Sequence, residues 1–248
     1  MNWLKITKPM SGNVLYFEKF KFERVATSDG VKIVFFCNGK LVKAFAGCPG
    51  MGRKETNNIN YANIYKMFPG EDYQAVIFVS NCGAKRQGSY EVINLRKDGT
   101  YYTLFDSTDY ETPGYFAIYD LNNDGFCEIL DCADEPFNDS ELIEFQVDKV
   151  DPIEIFAYDR EAKKIVPANN MFKKELKDLS GFDEANVDKN DVRSVLELCS
   201  YYWYSGEMVK GWNLFGKYYR ANDRESKKNK IREALQNDKY IAGLNAKK

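Results

Sequence analysis

Two periodicities divide the chain. From Val14 to Pro167 apolar residues come in short runs, many of them alternating with polar ones, which is the spacing of half-buried strands. VLYFEKFKFERV (Val14 to Val25) offers Leu15, Phe17, Phe20 and Phe22 to one face, with one break in register. KIVFFC and KLVKAFA flank Asn38-Gly39, a pair that accepts positive φ at both centres of a tight hairpin turn. YQAVIFVS (Tyr73 to Ser80) is continuously apolar, as in a strand covered on both faces. SYEVINL and TYYTLF are joined by RKDG, and GYFAIY, FCEIL, LIEFQV, IEIFAYD and KKIVP follow. That makes about eleven short strands joined by hairpins rather than crossover helices, hence antiparallel sheet.

From Asp188 the spacing lengthens. Val192, Val195, Leu196, Cys199 and Trp203 fall on one helical stripe, with Gly206 as its stop. Met208, Trp212, Phe215 and Tyr219 form a second stripe, and ESKKNKIREALQN offers only Ile231 and Leu235. The expected fold is α+β, mainly antiparallel and hairpin-rich sheet with a C-terminal helical hairpin. The expected division is a β-rich domain over residues 1–178 and a helical subdomain over 179–248.

Composition then narrows the chemistry. The 248 residues include no histidine, which removes Ser-His-Asp, Cys-His and HExxH schemes and any Cys/His zinc site. Carboxylate and Ser-Lys chemistry survive, but 37 acidic residues supply a carboxylate pair by chance. Against those stand 35 basic residues, giving a net charge of -2 and no broad basic surface, so nucleic acid is not an expected partner. No run approaches the roughly 20 apolar residues of a transmembrane helix. The expected location is periplasmic or extracellular, as a mature fragment, with a cytoplasmic protein as the alternative.

Six cysteines (Cys37, Cys48, Cys82, Cys127, Cys132, Cys199) form no CxxC pair. Local Cys37–Cys48 and Cys127–Cys132 bridges are open to the spacing, and free thiols are the preferred reading. GCPGMGRKET (Gly47 to Thr56) imitates a phosphate loop, but Arg53 stands where Lys belongs and Pro49 removes a donor. It reads as a Gly-rich surface loop. Tyr201, Tyr202, Trp203, Tyr204, Trp212, Tyr218 and Tyr219 crowd the helical hairpin, and filling the space between helices and sheet is the preferred account over an exposed binding platform.

The densest polar signal is YDLNNDGFCEIL, residues 119–130. Asp120, Asn122 and Asp124 alternate, Gly125 permits a sharp bend, the Phe126 carbonyl is available, and Glu128 sits at the ninth position, with Asp131 at the twelfth. This ligand order curls a short loop around a hard cation that takes six to eight oxygens. Like charges about 4 Å apart repel by roughly 1 kcal/mol per pair in water, which a divalent ion reverses. A solvated Asx-rich turn is the competing account.

The bulky, β-like flanks rule out an EF-hand. The stretch resembles the strand-loop-strand calcium loops, D-x-[DN]-x-D-G-x-x-[DE], of FG-GAP and VCBS repeat proteins such as integrin alpha-chain propellers and exported bacterial proteins. The likeness covers about residues 73–132 and has a single clear copy, whereas a propeller repeats. The resemblance implies calcium held by Asp120, Asn122, Asp124, the Phe126 carbonyl and Glu128, with Asp131 as an outer ligand. It further implies a non-enzymatic, calcium-stabilised binding module of bacterial envelope type for a protein or glycan. A carboxylate-dependent hydrolase and an intracellular inhibitor or immunity-type binding protein are the alternatives.

Overall fold

A computed structural model describes residues 2–27, 30–46, 60–80, 88–110, 116–132, 152–181, 184–185, 187–220 and 222–246. The fold is α+β and β-rich, with its helices at the C-terminal end. Among the described residues the strands are β1 (Asn2–Trp3), β2 (Val14–Phe17), β3 (Phe20–Thr27), β4 (Gly30–Cys37), β5 (Lys40–Ala46), β6 (Tyr61–Tyr65), β7 (Tyr73–Ser80), β8 (Gly88–Leu95), β9 (Tyr101–Asp106), β10 (Ala117–Asp120), β11 (Glu128–Cys132), β12 (Ile153–Asp159) and β13 (Lys164–Pro167). The helices are α1 (Lys173–Ser180), α2 (Val192–Tyr204), α3 (Met208–Tyr218), α4 (Arg224–Asn237) and α5 (Lys239–Asn245).

Sheet orders are β2-β3-β4-β5, β6-β7-β8-β9 and β1-β10-β11-β12-β13. The contacts group the chain into two compact units: residues 1–129 with 158–165, and residues 130–157 with 166–248.

In the first unit, two four-stranded antiparallel sheets share one core. Leu15, Phe20, Phe22, Ile33, Phe35 and Phe45 come from one sheet and Ala62, Ile64, Ala75, Ile77, Val79, Ile93 and Leu95 from the other. Alternation explains the choice: Phe20 and Phe22 point in while Lys21 and Glu23, between and beyond them, are only half-buried. Phe22 and Phe35 stack at 4.8 Å in the middle of it. Strand β7 is buried from Gln74 to Val79, as its unbroken apolar run requires. The Asn38-Gly39 turn adopts φ of 50° and 75°.

One expected strand is instead a hairpin. The register break in VLYFEKFKFERV is a turn at Glu18-Lys19, with Glu18 at φ 51°, and β2 pairs back on β3 from Phe17 opposite Phe20. LIEFQV and the Gly47 to Thr56 loop lie outside the described residues, as do Cys48 and Cys82. Cys37, Cys127, Cys132 and Cys199 are not joined in disulfides.

In the second unit, Asp191 caps α2 by accepting from the Ser194 amide at 3.0 Å, and Gly206 at φ 78° follows its end. Ile231 and Leu235 are the buried residues of α4, which keeps the rest of that charged helix in contact with water. Helices α2 and α3 approach closely because Gly211 lies under Trp203. A Cβ at Gly211 would stand 2.5 Å from two indole atoms and 3.1 Å from the Cys199 carbonyl oxygen. Trp203 is itself fully buried and packs on Trp212 at 4.7 Å, so it has nowhere to go.

Gly211→Ala therefore loses more to overpacking, about 1–3 kcal/mol, than the roughly 1 kcal/mol that alanine gains in helix propensity. The expected net loss is up to about 2 kcal/mol in a denaturant titration. Gly216→Ala, where a Cβ meets nothing within 4 Å, should be neutral or stabilising by up to about 1 kcal/mol in the same titration.

Candidate cation loop

Strand β10 ends on Asp120 and β11 begins on Glu128, so the seven residues between them must reverse the chain. Asn123 at φ 60° and Gly125 at φ 84° supply the left-handed steps. A Cβ on Gly125 would meet only Pro69 at 3.6 Å, so backbone conformation rather than space demands glycine there.

The polar side chains fold inward onto the loop's own amides. Asp120 accepts from the Asp124 and Gly125 N–H groups through its two carboxylate oxygens, each at 3.1 Å. Asn122 accepts from the Asp124 N–H at 3.1 Å and donates its amide to Asp124 at 3.1 Å. Asp124 accepts from the Phe126 N–H at 2.8 Å. Glu128, only 2% exposed, accepts from the Leu121 N–H at 2.9 Å and so ties the two ends together.

Burial pushes the Glu128 carboxyl up to about 7, with Asp124 and Asp120 adding to it and the Leu121 N–H opposing. Burial, then Asp120, Glu128 and Asp124, push the Cys127 thiol up to about 12, which leaves it a packing residue rather than a nucleophile. The loop is anchored from outside by the Cys127 N–H on the Met67 carbonyl at 2.8 Å. Phe126 stacks on Phe68 at 5.9 Å and carries the Arg160 guanidinium 4.4 Å from its ring centre.

Asp120, Asn122, Asp124 and Glu128 are thus drawn into one bend. Asp131 is buried in β11 and accepts from the Cys132 N–H at 2.9 Å, a local bond within its own strand. Among the described residues no group of three His, Cys, Asp or Glu side chains stands at ion-holding spacing. The acidic oxygens therefore sit on N–H donors, yet a carboxylate has about four lone-pair sites and retains acceptor capacity after each such bond.

Elsewhere the buried carboxylate Glu91 is held by Lys43 and by the Thr103 hydroxyl at 2.7 Å, a paired group with no free acid or base role. Of the crowded aromatics, Tyr202, Trp203, Tyr204 and Tyr219 are buried, and Tyr201, Trp212 and Tyr218 are half-buried. They are mainly packing.

A surface feature that the sequence reading passed over lies on the outer face of the β2–β5 sheet. Register places Tyr16 opposite Lys21, Lys21 opposite Phe36 and Phe36 opposite Leu41, one row across all four strands. Tyr16 is 63% and Leu41 64% exposed. Val14, Glu23, Val34 and Ala44 form the next row. Lys21 covers part of the Phe36 ring at 4.4 Å and pairs with Glu23 at 2.6 Å. The signal was present in VLYFEKFKFERV, where Val14 and Tyr16 make the second face of the strand apolar too. No helix among the described residues is long and apolar enough to cross a membrane. No family model matches the chain, and no curated protein is significantly similar to it.

Proposed function

We propose that this chain is a non-enzymatic binding module of bacterial envelope type, stabilised by calcium at the Asp120–Glu128 bend. One observation carries the calcium reading: three carboxylates fall within nine residues, and the buried one is driven to about 7 by burial and then by the other two. Ionising all three without a counter-charge is costly, and a hard divalent cation supplies that charge. Asp120, Asn122, Asp124 and Glu128 would hold it through oxygen, as the FG-GAP and VCBS likeness implies, with the Phe126 carbonyl and Asp131 as further ligands. Weak loops of this kind suit the calcium levels outside cells.

The binding role rests on the row from Tyr16 to Leu41, exposed at both ends and half-buried at Lys21 and Phe36. A patch with four aliphatic residues, two aromatic ones and a Lys21–Glu23 pair suits a protein partner better than a glycan, because sugars stack on aromatic faces and gain little from Leu, Val and Ala.

A second reading has its own observation. Four bonds from loop backbone N–H groups to Asp and Asn side chains, with the Asn122–Asp124 side-chain bond and the Glu128–Leu121 tie, already close the bend without an ion. Melting with chelator and with calcium separates the two. A bound ion raises the unfolding free energy by RT ln(1 + [L]/Kd), about 1.4 kcal/mol at ten times Kd. Asp124→Ala should lose that response. Identical melts with chelator and with millimolar calcium would sink the calcium reading and leave the ion-free bend.

A further inference from the structure

Within the second unit, helices α3, α4 and α5 enclose a groove of about 350 Å³, lined by Met208, Trp212, Arg232, Leu235, Gln236, Ile241, Ala242 and Asn245. Each helix contributes residues one turn apart: Met208 and Trp212, then Arg232, Leu235 and Gln236, then Ile241 and Asn245. The floor is dry, since Leu235 and Ile241 are buried. One wall is rigid, because Trp212 is held between Trp203 at 4.7 Å and Phe215 at 5.9 Å.

Among the described lining residues, Arg232 is the one that carries a charge. Arg232 is exposed and stands 5.6 Å from the Trp212 ring centre, and among the described residues no carboxylate lines the groove. Among the described residues, no acidic side chain lies within ion-pair distance of Arg232, whereas Arg224, Lys227 and Lys228 of the same helix all have acidic partners. Gln236 and Asn245 add amides beside it.

We propose that this groove binds a small organic monocarboxylate with an apolar body. The carboxylate meets the Arg232 fork, which matches it in geometry and stays charged at every working pH. The body lies over Leu235 and Ile241 against Trp212 and Met208. A cationic ligand has no counter-charge here, and a dianion has one guanidinium for two charges. The volume equals about a dozen water volumes, which limits the ligand to small molecules of roughly that many heavy atoms. The site is independent of the calcium bend.

The test uses the full chain and two probes, 4-phenylbutyrate and its neutral amide, followed by ¹H–¹⁵N shift titration. The acid should saturate with a dissociation constant of about 1 mM, ordinary for so few heavy atoms, and shift amides of α3, α4 and α5. The amide should bind at least about tenfold more weakly. Arg232→Gln should bring the acid down to the affinity of the amide while leaving the amide unchanged, and its melt should match the parent because the side chain is exposed. Trp212→Leu should weaken both probes. Equal binding of acid and amide, retention of the preference in Arg232→Gln, or shifts that never saturate or fall outside these helices would each overturn the proposal.

Discussion

Glu128→Gln should flatten the pH dependence of stability between pH 4.5 and 7 in the presence of chelator, and at pH 8 the variant should be more stable than the parent by about 3 kcal/mol. The sign follows from proton binding. The folded carboxyl titrates near 7 and the unfolded one near 4.5, so between those values the folded state holds the extra proton. That stabilisation is complete below 4.5 and is lost as pH rises through 7. A difference of 2.5 pH units at about 1.4 kcal/mol per unit gives the magnitude. Glutamine keeps an oxygen for the Leu121 N–H while removing the charge, so the tie across the bend survives.

Calcium should act in the opposite direction on the parent. A bound divalent ion needs the ionised carboxylate, so its stabilising effect should grow as pH passes 7, where the ion-free protein is weakest. The variant should show little response, having lost one formal charge from the set. Denaturant midpoints at several pH values, with chelator and with calcium, give all four curves. Parallel curves for parent and variant in chelator would show that Glu128 titrates normally, and the electrostatic case for a cation at this bend would go with it.

How much of this could be read from the letters depends on what each letter forbids. Asn38-Gly39 was legible because few other pairs tolerate two consecutive left-handed residues. Glu18-Lys19 makes a comparable reversal, but glutamate at φ 51° carries no such signature, so a hairpin looked like one strand with a slip. The helical stripes of α2 and α3 were plain at 3.6-residue spacing, whereas α1 has one buried side chain, Leu176, and α5 only seven residues, too little for a periodicity to emerge. Strand β6, YANIY, sits beside a stretch rich in Asn and lost its alternation to it.

At the candidate site, spacing marks Asp120, Asn122, Asp124 and Glu128 as oxygens of one loop, and in the structure each of them accepts from an N–H of that bend. Alternation cannot say whether an oxygen will face an ion or an amide, which depends on φ at Asn123 and Gly125. Nor can it say whether the outer face of a sheet is covered. Tyr16 and Leu41 are distant in sequence and meet in one row only through the β2–β5 register. The Trp212–Arg232 groove likewise needs three helices in place before its charge stands out.

Tyr240→Phe should lower the unfolding free energy by about 1–3 kcal/mol, although it removes one oxygen and no apolar surface. Tyr240 is fully buried, its ring edge-on to Phe156 at 5.0 Å and stacked with Tyr204 at 5.9 Å. Its hydroxyl accepts from the Ile155 N–H at 3.1 Å and the Asn169 N–H at 3.3 Å, and lies within donating reach of the Ile155 carbonyl at 2.8 Å and of the Asn169 side-chain oxygen. Burial holds this phenol well above its ordinary range, so it remains a donor at any working pH. Phenylalanine fits the same space but leaves the Asn169 N–H without that partner in a dry interior, at about 1–3 kcal/mol for a stranded buried group. The Ile155 N–H keeps the Asn169 side-chain oxygen at 2.6 Å, which limits the loss. Asn169→Ala should therefore cost as much alone, and the double variant should cost more than the sum, because either side chain alone still accepts from the Ile155 N–H and only their joint loss strands it. Additive losses would mean that the two act on separate parts of the unit. A Tyr240→Phe protein with unchanged stability would mean that solvent reaches this junction and satisfies it.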